Sequence, residues 1–138
     1  MLLATLAASA HALEYAAVGD NTAILYDAPS TKAKKLFVVS RYWPVELVVN
    51  LDAWVKVRDS SGSLAWIEKR ALGTGRYVLV TEALALMRQS PEENAPVVMQ
   101  ARQQVALEWL ESTGTGWLKV RHQDGLAGYV KTTDVWGD

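Results

Sequence analysis

The chain of 138 residues contains no cysteine. That excludes disulfides, thiolate nucleophiles, zinc–sulfur sites and a lipidated cysteine. Small domains often lean on disulfides or metals for stability, so this one has to rely on packing. Charge of either sign in excess is also missing. Fourteen Lys and Arg stand against fifteen Asp and Glu, for a net charge of −1. A nucleic-acid binder would carry a clear basic excess, and a protein held to anionic membranes by charge alone would need one too. No apolar run reaches the 18 or so residues of a bilayer span. Histidine is nearly absent, and phenylalanine occurs once. Six tryptophans and five tyrosines are what the chain does have, in a composition of half apolar and about a fifth charged residues.

The N-terminus reads as a targeting segment. Residues 1–12, MLLATLAASAHA, are apolar and small and end in Ala10-His11-Ala12, an A-x-A cleavage pattern that makes Leu13 the first mature residue. No Lys or Arg precedes the apolar run. This predicts a signal peptide whose basic start lies upstream of Met1, and a periplasmic or secreted protein.

The strongest feature is an internal repeat. WVKVRDSSGSLAWIEK, from Trp54 to Lys69, returns as WLKVRHQDGLAGYVK, from Trp117 to Lys131. An offset of 62 places Tyr15 on Tyr77, Val18 on Val80, Leu25 on Met87 and Pro29 on Pro91. An offset of 63 places Trp54 on Trp117, Lys56 on Lys119, Gly62 on Gly125 and Trp66 on Tyr129. Two units follow, 13–72 and 76–138, joined by Gly73-Thr74-Gly75.

Each unit reads as short strands. Leu36–Val39, Val45–Val49 and Val97–Met99 are apolar, mostly β-branched runs bounded by turn residues. No window keeps a helical period. Lys69–Leu72 and Thr132–Val135 suit one helical or 3₁₀ turn each. About five short strands in some 60 residues predict a small closed antiparallel barrel, so the fold class is all-β, as two tandem five-stranded barrels.

In the repeated stretch, Trp54–Arg58 and Leu64–Glu68 form a hairpin around Ser60-Ser61-Gly62, with Gln123-Asp124-Gly125 matching it. Period-two alternation puts Val55, Val57, Ala65 and Ile67 on the core face. In the second copy that face is Leu118, Val120, Gly128 and Val130. The opposite face carries Trp54, Lys56, Arg58, Leu64, Trp66 and Glu68. This register sets Lys56 across from Trp66, and Lys119 across from Tyr129, so a cation–π contact is expected in each. A face this aromatic either packs on a loop or on the other unit, or binds something.

Three features recur in order: Leu86-Met87-Arg88-Gln89-Ser90-Pro91, Trp117-Leu118-Lys119-Val120 and Asp124-Gly125-Leu126-Ala127-Gly128-Tyr129-Val130. The first unit offers Leu25-Tyr26-Asp27-Ala28-Pro29-Ser30, Trp54-Val55-Lys56-Val57 and Gly62-Ser63-Leu64-Ala65-Trp66-Ile67. Each unit thereby resembles a bacterial Src-homology-3-like domain. Tyr26 stands where that family often has Arg, and Ala65 replaces its Gly. The Gly usual before the middle strand is absent at Tyr42-Trp43 and Gln103-Gln104. The resemblance implies a five-stranded barrel per unit and a non-catalytic role outside the cytoplasm. Its modules bind peptidoglycan stem peptides or envelope proteins, often as appendages of wall hydrolases. No hydrolase domain lies within these residues, so the modules are expected to act alone or in trans. No cofactor and no metal is implied.

The candidate ligand-binding residues are Tyr26, Tyr42, Trp43, Trp54, Lys56, Trp66, Arg88, Trp117, Lys119 and Tyr129. Trp54, Trp66, Trp117 and Tyr129 have an equally good structural reading, as cover for the open side of a small sheet. Tyr42-Trp43-Pro44, two aromatics in a loop, suits a recognition surface or a seal between units. Val105, Leu107 and Trp109 share one strand face, which favours packing, and Trp136 is placed to close the second barrel or pack on the linker. Catalysis has little support. His122 sits beside a turn with no paired nucleophile, and Asp20, Glu82, Glu92, Glu93 and Asp124 fall in turns. The alternatives are thus a peptide-binding module, an assembly protein whose aromatic faces pack the two barrels together, and, remotely, a wall hydrolase.

Overall fold

The computed structural model describes residues 13–138; the signal-peptide expectation concerns 1–12 and lies outside them. The first unit is β1 (Tyr15–Val18), β2 (Thr22–Tyr26), β3 (Lys35–Ser40), β4 (Pro44–Asn50), β5 (Trp54–Arg58), β6 (Leu64–Glu68), a 3₁₀ turn at Lys69–Ala71, and β7 (Leu72–Gly73). The second is β8 (Tyr77–Val80), β9 (Leu84–Arg88), β10 (Val97–Arg102), β11 (Ala106–Ser112), β12 (Trp117–Arg121), β13 (Ala127–Lys131), a 3₁₀ turn at Thr132–Asp134, and β14 (Val135–Trp136). Both sheets are antiparallel and share one order, β3-β2-β6-β5-β4-β1-β7 and β10-β9-β13-β12-β11-β8-β14.

The tandem all-β barrels expected from the repeat are therefore present. Each holds seven strand segments, not five. One of the two extra segments in each barrel is too short to show a pattern: β7 and β14 are two residues each, paired to the edges that β1 and β8 offer. Gly73, read as connector, is held in β7 opposite Ala17. Its Cα lies so near Gly19 that a Cβ there would sit 2.9 Å from the Gly19 Cα.

Curvature comes from bulges at matching places. The register of β4 on β5 slips between Leu47 and Val49, and that of β11 on β12 between Trp109 and Glu111. An extra residue there sharpens twist and bends the strand, which lets so small a sheet wrap its core. The hairpin register is the expected one, with Val57 opposite Ala65, Lys56 opposite Trp66 and Lys119 opposite Tyr129. Gly62 and Gly125 take φ +88° and +98° in the two turns. Each supplies the left-handed residue that closes a three-residue loop.

The faces alternate as the sequence pattern requires. Val55, Val57 and Ile67 are buried in the first core with Leu25, Val18 and Val45. Leu118, Val120 and Val130 are buried in the second with Met87, Leu107 and Val78. Each such side chain is worth about 1.5–3 kcal/mol of burial, which replaces the missing disulfides. Leu107 is fully buried with Val105 and Trp109 packed against it, so that strand face is core.

Candidate functional site

The two copies of the repeated hairpin carry different surroundings. In the first, Trp54 begins β5 opposite Glu68, the last residue of β6. The 3₁₀ turn follows at once and returns Arg70 to Glu68, with Nε 2.8 Å from Oε2. Trp54, Glu68 and Arg70, with Asp52, Ala53 and Lys69, line a groove of about 390 Å³. Glu68 is largely covered, whereas the Arg70 side chain is 82% exposed. On the far side of that ion pair, a second hollow of about 280 Å³ lies along Tyr26, Thr31 and Asp20. The floor is aromatic: Tyr26 meets Trp54 edge to face, with ring centroids 5.4 Å apart and planes at 82°.

In the second copy the same place carries different residues. Lys131 occupies the position of Glu68, and its ammonium lies 6.0 Å from the centre of the Trp117 ring. Lys131 also pairs with Glu93 from the β9–β10 loop. Trp117 is buried. That loop is further tied by Arg88, whose guanidinium donates to the Ala95 carbonyl at 2.8 Å. One repeat thus has a groove beside its tryptophan, and in the other the tryptophan is buried, with an exposed ion pair nearby.

Several other aromatics lie where the barrels meet. Tyr42 stacks on Tyr77 at 4.4 Å and 25°. Tyr15 meets Trp136 edge to face at 5.4 Å. Arg76, in the connector, lies 4.3 Å over the Trp109 ring, whose Nε1 donates to Asp138 at 3.3 Å. Burial raises both phenols above their ordinary pKa. Glu46 adds to the effect at Tyr15, and Tyr42 adds to it at Tyr77. Tyr42 reaches this contact from a left-handed backbone, φ +73°, and its counterpart Gln104 has φ +70°. These are the positions before the middle strand where glycine would ordinarily be used.

Two stretches, residues 19–73 and 81–137, match the family described as bacterial SH3 domain. The chain belongs to this family. Among solved structures it is similar to NlpC2 from Trichomonas vaginalis, at 12% identity over 94% of this chain and 50% of that one, with a TM-score of 0.42. NlpC1 from the same organism gives 14% identity, 99% and 51% coverage and 0.42. An NlpC/P60 family protein from Bacillus cereus gives 16%, 89% and 56%, and again 0.42. The chain spans about half the length of these proteins, and nothing about activity follows from a likeness of this order. No curated protein matches.

Within the SH3 units the ten candidate residues separate into groups. Trp54 lines the open groove, with Tyr26 buried beneath it. Trp66 and Lys56 sit on the outer face, partly buried, with Trp66 between Tyr26 and Lys56 in register. Lys119 and Tyr129 repeat that pair, and Tyr129 also faces Arg88. Tyr42 is at the barrel junction, and Trp43 packs on the first core. Trp117 is covered and Arg88 is occupied in tying its loop.

The expected cation–π contacts of Lys56 with Trp66 and Lys119 with Tyr129 are not formed among the described residues. The pairs are opposite in register, but the cations over rings are Arg41 on Tyr42, Arg76 on Trp109 and Lys131 on Trp117. A long lysine is free to swing away from its cross-strand neighbour, so register alone does not place its ammonium. Glu68 and Arg70, which shape the groove, were not among the candidates. Their signal lay in a break of the repeat: the offset that matches Trp54 to Trp117 sets Glu68 against Lys131 and Arg70 against Thr133.

Proposed function

We propose that this is a non-catalytic binding protein of the cell envelope, periplasmic or secreted, that holds an extended peptide in the Trp54 groove of its first SH3 unit. The observation that carries the reading is the difference between the copies, an open groove at Trp54 and a covered ring at Trp117. An indole wall suits an extended chain of low entropy. Glu68 offers a carboxylate to an ammonium, and Arg70 offers a planar fork to a carboxylate. A peptide bearing both groups, such as a peptidoglycan stem peptide, fits that pair. Family membership supports a binding role.

The test is capture on purified sacculi. Arg70→Glu and Glu68→Lys change exposed or rim charge without removing core. Each single variant should lose most of the capture. Charge reversal of Lys119 in the second unit should leave capture intact. Unchanged capture by both groove variants would remove the reading.

The aromatic junction favours a narrower version of the assembly alternative. Tyr42, Tyr77, Tyr15 and Trp136 join the barrels to each other, which supports a fixed two-module unit. Two linked modules present their surfaces in a set geometry.

A further inference from the structure

The β3 edge of the first barrel is open. It ends its sheet, pairing only with β2. The Arg41 N–H donates to the Asn21 carbonyl, which sets the phase of the ladder. Phe37 and Val39 then bond inward to β2, and Val38 turns its N–H and C=O outward. An edge of this kind is a template for another strand. Its side chains are apolar where edges are usually polar: Val38 is 70% exposed and Phe37 50%. Beside them, Phe37, Val39, Leu25 and Trp43 line a groove of about 510 Å³, bounded by Ser60 and by Gln104 of the second barrel. The same edge of the second barrel has Met99 and Gln100 at the matching positions, of which Met99 is only partly exposed.

Charge decides the occupant. Lys32, Lys34 and Lys35 precede or begin the strand, Arg41 follows it, and all four are exposed. None forms an ion pair among the described residues. Two of the nearby acids accept from backbone donors: Asp27 from Lys34 N–H, and Asp59 from Ser61 and Ser63 N–H. A second copy pairing antiparallel on β3 would bring Lys35 toward the partner's Ser40-Arg41 end, cation against cation. Lysine on an edge works against such self-pairing. An acidic strand meets no such repulsion.

We propose that β3 captures an acidic, extended segment of a protein partner by strand addition. The segment's carboxylates would face Lys34, Lys35 and Arg41, and one apolar side chain would enter the groove beside Phe37. This surface is separate from the Trp54 groove, so the two readings fail independently.

The probe is acetyl-Glu-Val-Glu-Val-Glu-Val-amide, titrated into the ¹⁵N-labelled full chain and compared with the Lys-Val and Glu-Gly versions. The acidic apolar peptide should shift the Val38 and Ser40 amides, with Trp54 unmoved. A Lys34→Glu/Lys35→Glu variant should bind it roughly five- to tenfold more weakly, as expected for two exposed charge pairs. Phe37→Ser, at a half-exposed site, should weaken it as well. The proposal is overturned if no peptide binds, if the Lys-Val peptide binds as well, or if shifts fall only around Trp54. A concentration-dependent dimer that protects the Val38 amide would equally overturn it.

Discussion

Tyr42 of the first barrel lies flat against Tyr77 of the second, ring centroids 4.4 Å apart. Arg41 adds a cation at 5.1 Å on the Tyr42 ring. The connector between barrels is short and glycine-bearing, so this stack and the Tyr15–Trp136 contact fix one barrel on the other. An aromatic pair of this kind contributes about 0.5–1.5 kcal/mol beyond its area. A Tyr42→Ala, Tyr77→Ala double-mutant cycle on urea unfolding should give a coupling in that range. ¹⁵N relaxation should show the barrels of Tyr42→Ala tumbling less as one body. Zero coupling with unchanged tumbling would mean the stack holds nothing.

Alkali should loosen the same junction. Burial raises the Tyr15 and Tyr77 pKa above the ordinary phenol value of 10.0, so the folded state disfavours the phenolate. The unfolded chain then releases these protons first. Stability from this source is whole below about pH 10 and declines as pH rises from there through the higher folded values. Denaturant midpoints across pH 8–11.5 should fall at the alkaline end. A Tyr15→Phe/Tyr77→Phe variant should fall less steeply; an equal slope would place the effect elsewhere.

Gln104 holds φ +70° without an evident gain. Its N–H donates to the Val80 carbonyl at 2.8 Å, which Gly would retain. Such a backbone costs about 1 kcal/mol or more for a residue with a Cβ. Gln104→Gly should therefore stabilise by roughly 0.5–1 kcal/mol, after the extra entropy glycine loses on folding. Tyr42→Gly should not stabilise, because it also removes the stack on Tyr77. Thermal midpoints of the two variants shifting together would contradict this.

Gly128 has no room for a methyl group. A Cβ there would stand 2.6 Å from Met87 Cγ and 2.7 Å from the Arg88 carbonyl oxygen. The side chain can yield, but the backbone oxygen belongs to the neighbouring strand β9. Gly128→Ala should cost about 1–3 kcal/mol, the usual range for overpacking. Ala65 occupies the same place in the first copy, packed in the core with Leu25 where the second copy has Met87. Ala65→Gly should be the milder change in a chemical-denaturation comparison.

Trp43 buries its indole Nε1 with no hydrogen-bond partner among the described residues. An orphaned donor costs about 1–3 kcal/mol. Trp43→Phe should therefore destabilise less than the loss of ring area suggests, under about 1 kcal/mol by calorimetry. A loss of 3 kcal/mol or more would show that the indole finds a partner in solution.

The repeat, read from residues alone, settled the fold. Val55, Val57 and Ile67 alternate, Gly62 and Gly125 punctuate the turns, and each pattern occurs twice at one offset. Alternation and turn chemistry are local, so they are written in consecutive residues. The two-residue strands β7 and β14 were not legible, because they exist only against β1 and β8. Nor was the division of labour among the aromatics. Trp54 and Trp117 are the same residue at the same repeat position, yet one lines a groove and the other lies under Lys131. Beside one ring Lys131 pairs with Glu93 from a loop, and beside the other Glu68 pairs with Arg70 from a 3₁₀ turn. Side chains of that length have too many rotamers for register to choose among them. The sequence determined two small barrels with apolar, alternating cores; tertiary packing alone decided which aromatic surfaces stay open.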